Sequence, residues 1–191
     1  MQRPAKVGLL RARWLCLLWH AALLFVLGTA STRGATTASE TELKAAFLYN
    51  FAKFVEWPAD SFLSETAPLR VVVFGDDDTV AKLKSLLSDK KAHGRSFEVR
   101  RVTSPQEARN AQIVFVTSAE SKRTLLILDA VKRLPVLTIG DADDFLDSGG
   151  MINFYFEEAQ LRFDINAEVA EKVKLVISSK LLRLAKKRSF K

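Results

Sequence analysis

The chain has 191 residues, 48% of them hydrophobic, and a net charge of +7 from 29 basic and 22 acidic side chains. Without the four basic residues of its first 30 positions, 25 basic and 22 acidic remain, a net of +3, and the dense basic cluster of Lys186, Lys187, Arg188 and Lys191 reads as a charged, solvated tail. This pattern excludes the basic stripe that nucleic-acid binding requires, and one cysteine with two histidines excludes a disulfide framework or a zinc site of several His and Cys ligands.

The first 35 residues read as a secretory signal peptide. Arg3, Lys6, Arg11 and Arg13 form a basic start, an apolar run follows from Trp14 to Leu27, and small residues close it at Gly28–Ala30 and Arg33–Ala35. The run has 14 residues, short of the roughly 20 that cross a bilayer as a helix. Cleavage is expected after Ala30 or Ala35; the alternative is an uncleaved N-terminal anchor. Either way the folded part, residues 36–191, is expected outside the cytoplasm as a single domain, away from ATP and NADPH. Cys16 lies in the leader, so the mature chain has no thiol.

A helix is predicted over residues 41–55, with Leu43, Phe47, Phe51, Phe54 and Val55 recurring at helical spacing. Pro58 ends it, because the residue before a proline avoids helical geometry. Three short runs, 71–74, 113–116 and 136–139, are apolar without alternation, the mark of parallel strands buried on both faces. Helices are predicted between them over 79–87 and 121–134, a short one over 105–110, and an edge strand over 97–102. His93 reads as part of a turn. Residues 151–156 and 161–166 are joined by a four-residue link, which forces an antiparallel hairpin. A last helix is predicted from 167 to about 185. The sum is a three-layer α/β fold: a mostly parallel sheet of about six strands with a C-terminal antiparallel hairpin and flanking helices. Right-handed crossovers favour the strand order 2-1-3-4-5-6.

Two acidic turns follow predicted parallel strands, Gly75–Asp78 and Gly140–Asp144, at the end of the sheet where α/β folds bind ligands. Both are expected to cap helices. Gly149-Gly150 is read as a turn needing positive φ, since the chain contains no glycine-rich phosphate loop. No catalytic constellation emerges, and no metal or cofactor site is predicted. Binding rather than turnover is expected.

Several blocks of sequence carry a resemblance. Glu42-x-Lys44-Ala-Ala-Phe-Leu-Tyr-Asn-Phe-Ala-Lys-Phe-Val-Glu-Trp-Pro58 resembles the opening of the YfiR family of periplasmic regulators. Gly149-Gly-Met-Ile-Asn-Phe154, then Leu161-Arg-Phe-Asp-Ile-Asn166, then Ser178-Ser-Lys-Leu-Leu-Arg-Leu-Ala185 resemble its closing motifs in the same order. The resemblance implies a periplasmic α/β protein without known catalysis. It implies repression of an inner-membrane diguanylate cyclase through that enzyme's periplasmic sensor domain, which lowers cyclic-di-GMP and biofilm formation. An outer-membrane lipoprotein sequesters the repressor in the best-understood members, and such members can be dimers. Some members carry disulfide cysteines, one of them just before the third strand. Here that position is Ala111, so redox control of stability is not expected.

Three readings follow. The first is a periplasmic regulator that docks through its hairpin, with Phe154, Phe156, Phe163 and Ile165 as the partner-binding set and Arg162 and Asp164 opposite; the competing expectation is that these aromatics cover the last helix. The second is a periplasmic small-solute sensor, with Asp76, Asp77 and Ser118 lining a crevice above the first and third strands. The third is a hydrolase using Asp76 or Asp141 as a general base.

Overall fold

The computed structural model describes residues 39–185. The leader and the basic tail, on which the expectations of export and of a solvated tail rest, lie outside the described residues.

The first helix, α1 (Glu40–Phe54), starts at a capping box. The Ser39 hydroxyl accepts from the Glu42 amide at 3.3 Å, and the Glu42 carboxylate accepts from the Ser39 amide at 2.6 Å. The helix stops where Val55 turns extended, three residues before Pro58, and Val55–Glu56 form a short strand, β1. The body of the fold is β2 (Leu69–Phe74), α2 (Asp77–Leu87), β3 (Lys91–Ala92), β4 (Arg95–Arg101), β5 (Ile113–Val116), α3 (Thr124–Val131), β6 (Leu137–Gly140), β7 (Ile152–Glu157) and β8 (Gln160–Ile165). Short 3₁₀ segments at Pro105–Asn110 and Ser118–Arg123 precede β5 and α3.

These strands form a seven-stranded sheet in the order β3-β4-β2-β5-β6-β7-β8. The four pairings from β4 to β7 are parallel and the two outer ones antiparallel. The six strands expected from the sequence stand in the expected order, and β3 is an addition. It is too short to show a pattern, and it pairs with β4 across His93 and Gly94, both at positive φ, as a two-residue type I′ turn requires.

Both faces of the central strands are buried, which is why their sequences do not alternate. Val71, Val73, Ile113, Phe115, Leu137 and Ile139 belong to one core, under α1 and α2. Val72, Phe74, Val114 and Val116 belong to a second core with Ile127, Leu128 and Val131 of α3. Phe145 is fully buried in that second core. A Cβ added at Gly140 or at Gly150 would lie 2.2–2.3 Å from its ring. The glycine pair thus divides into two roles: Gly149 takes a positive φ of 96°, and Gly150 makes room for Phe145.

Three local expectations are corrected. The hairpin link is two residues, Glu158 and Ala159, because Glu157 and Gln160 still pair across the strands. The helix expected over 121–134 is shortened: the 3₁₀ segment Ser118–Arg123 takes its start, α3 covers only Thr124–Val131, and Leu125 and Leu126 are left exposed. The expected last helix is broken. Helix α4 (Ala167–Lys172) ends where Lys174 takes a φ of 62°. Strand β9 (Val176–Ile177) then pairs antiparallel with β1, and Ser178 caps a final turn, α5 (Ser179–Leu182). The β-branched run Val173, Val176 and Ile177 favours strand over helix, and Ile177 finds the free edge of β1.

Candidate functional site

The carboxyl ends of β2, β5 and β6 open side by side beneath the start of α1, and three short segments meet there. After β2, Asp76 caps α2: its carboxylate accepts from the Thr79 amide at 2.8 Å and from the Thr79 hydroxyl at 3.0 Å. Those two bonds, the backbone one foremost, hold the Asp76 carboxyl below its ordinary pKa. After β5, the Ser118 amide donates to Oδ1 of Asp141, which itself follows β6. The other oxygen of Asp141 accepts from Lys44 Nζ of α1 at 2.5 Å, and Lys44 also donates to Glu40 one turn earlier.

Lys44 and Asp141 are 12% and 10% exposed at their side chains. Burial pulls the Lys44 pKa down, but the hydrogen bonds to Asp141 and Glu40, with their negative charges, together raise it above the ordinary lysine value. The ammonium therefore stays charged and bridges the first helix to the ends of two strands. Crevices of about 260 and about 220 Å³ lie around the bridge, and both include Glu40, Lys44, Ser118 and Asp141 in their walls. The first takes in Asp76 and Thr79; the second runs along the hairpin to Phe154, Phe156 and Leu161.

The sequence-derived crevice residues are thus only partly united. Asp76 and Ser118 line one cavity. Asp77 is turned away toward Arg101, whose Nη1 lies 3.1 Å from its carboxylate and whose Nε donates to the Gly75 carbonyl. Asp141 does not cap a helix, contrary to the sequence expectation, because residues 143–149 form successive turns. Its oxygens are engaged by Ser118 and Lys44 instead. Sequence reasoning missed Lys44 as a site residue. Its available trace was a cation on the otherwise apolar side of α1, between Leu43 and Phe47.

The hairpin residues separate by face. Phe154 and Phe163 are register partners, both buried, and their rings pack on Phe47 and Phe51 of α1 with centroids 4.9–5.9 Å apart. They cover the first helix, in a core that residues Ala170, Val173 and Leu181 of the closing segment share. Ile165 is buried with them, and Asp164 is buried on the opposite face beside its register partner Asn153. Phe156, 52% exposed, continues the face of Phe154 beyond the end of the packing. Arg162 is exposed on the other face, opposite Tyr155. Of the six residues, Phe156 and Arg162 stand at the surface.

Among the described residues, no three or more His, Cys, Asp or Glu side chains converge as metal ligands, and no helix is long and apolar enough to cross a membrane. The family model described as YfiR/HmsC-like matches residues 41–186, from the first turn of α1 to just past α5. The chain belongs to the YfiR/HmsC-like family. Its opening and closing motifs are the ones that form α1, the β7–β8 hairpin and the β9–α5 segment. The family is one of periplasmic regulators. The crystal structure of a conserved domain protein from Vibrio cholerae O1 biovar El Tor is similar in fold, with a TM-score of 0.55 at 12% identity over 77% of this chain. This chain spans 59% of that protein's length. No curated protein matches the chain in sequence.

Proposed function

We propose that this YfiR/HmsC-like chain is a periplasmic repressor that docks on the periplasmic sensor domain of an inner-membrane diguanylate cyclase, lowering cyclic-di-GMP and restraining biofilm formation. The observation that carries this reading is the family match across residues 41–186. The site's chemistry agrees with docking. Asp76 and Asp141 are committed to Thr79, Ser118 and Lys44, which leaves neither as a free general base. The docking surface is the end of the β7–β8 hairpin, where Phe156 supplies apolar contact and Arg162 a charge. An aromatic and an arginine are the side chains that most often anchor protein interfaces. An outer-membrane lipoprotein competing for the same protein is the antagonist in this reading.

Cyclic-di-GMP measured with and without the gene tests the pathway. Deletion should raise it, and a plasmid copy should restore it. The Arg162→Glu and Phe156→Ser variants should accumulate normally, since both side chains are exposed, yet fail to restore it and lose capture by the sensor domain. An unchanged cyclic-di-GMP level on deletion rejects the cyclase reading. Full capture by both variants rejects the hairpin surface.

A further inference from the structure

A third cavity lies at the other end of the central strands, beneath the amino ends of β2, β5 and β6, and has a volume of about 240 Å³. Two arginines line it, Arg70 at the start of β2 and Arg109 at the end of the Pro105–Asn110 turn, against a single carboxylate, Asp60. The lining therefore has one positive charge in excess.

The cradle is held from behind by Gln112, which is buried. Its Oε1 accepts from the Arg70 amide at 3.0 Å and from Arg70 Nε at 3.5 Å, while its Nε2 donates to the Ser61 carbonyl at 2.6 Å. Its own carbonyl accepts from the Trp57 indole at 3.1 Å. The Arg70 side chain is thus steered by its Nε, and its two terminal nitrogens make no hydrogen bond among the described residues. Arg109 makes one long bond, from Nη1 to the Ala130 carbonyl at 3.3 Å. The Ser61 hydroxyl is buried without a hydrogen-bond partner among the described residues. A buried hydroxyl is costly to leave unpaired, and a guanidinium fork suits the geometry of carboxylate and phosphate oxygens.

We propose that this cavity binds a small oxyanion, a phosphate or carboxylate group held by Arg70 and Arg109 with Ser61 donating its hydroxyl. The volume admits a compact solute rather than a peptide. The site lies at the other end of the strands from the Lys44–Asp141 bridge, and the inference stands independently of the docking reading.

Isothermal titration of the purified protein with inorganic phosphate and with acetate, at ionic strength held constant with chloride, tests it. At least one anion should bind, and the arm that binds identifies the source as phosphate or carboxylate. The Arg109→Gln variant, altered at an exposed residue, should weaken binding tenfold or more, and Ser61→Ala should weaken it to a lesser extent. Arg100→Gln, which removes an exposed arginine on β4, should leave it unchanged. No binding in either arm, or equal losses in Arg109→Gln and Arg100→Gln, overturns the proposal.

Discussion

Lys44 and Asp141 stand 97 residues apart in the chain and 2.5 Å apart in space. A charge pair this shielded is worth more broken than made: removing one partner strands the other in a poorly solvated place. Lys44→Met should destabilise the protein by about 1–3 kcal/mol, leaving Asp141 with the Ser118 amide alone. The sign of the pH dependence follows from the raised lysine pKa. The stability from Lys44 is fully present below the unfolded lysine value of about 10.4 and is lost as pH rises through the higher folded value. Denaturant melts of the native protein and Lys44→Met should therefore differ by a constant amount from pH 6 to 10 and converge at higher pH. A gap that persists unchanged above the folded value would assign the loss to packing alone.

At the scale of elements, the β7–β8 turn carries strain that its sequence does not advertise. Glu158 and Ala159 sit at φ values of 50° and 59°, where a side chain costs about 1–2 kcal/mol and glycine costs nothing. Ala159→Gly should be net stabilising by about 0.5–1 kcal/mol once the extra freedom of the unfolded chain is counted, a rise in Tm of about 2–3 °C. A lowered Tm would mean that the Ala159 methyl group makes contacts that outweigh the strain. This turn also shows where sequence reasoning reaches its limit. Central strands were legible because burial on both faces erases alternation, and the order of the sheet followed from crossover handedness. The type of turn was not, since neither Glu158 nor Ala159 is a residue that prefers positive φ. The break after Lys172 was equally hidden. A stripe through Val169, Val173 and Leu181 fits a continuous helix, and only the distant edge of β1 makes a strand of Val176 and Ile177 preferable. The crevice was half legible: Asp76 and Ser118 follow strand ends, whereas Lys44 comes from a helix 97 residues before the carboxylate it meets.

At the scale of the molecule, β9 and α5 close the domain on its own beginning. Val55 pairs with Ile177, Glu56 with Val176, and the Ser178 amide donates to the Phe54 carbonyl at 2.9 Å. Leu175, Ile177 and Leu181 are buried in the same core as Phe51. Ending the chain after Lys174 removes these three side chains, each worth about 1.5–3 kcal/mol of burial, a total comparable with the whole stability of a typical domain. Circular dichroism of that truncated protein should show loss of the cooperative thermal transition; a retained transition within a few degrees would show that the clasp is dispensable. The clasp also sets a schedule. In synthesis from the amino end, the opening helix is finished long before the segment that must grip it. Until Val176 and Ile177 follow, β1 lacks the strand it pairs with, so the domain locks only at its last step.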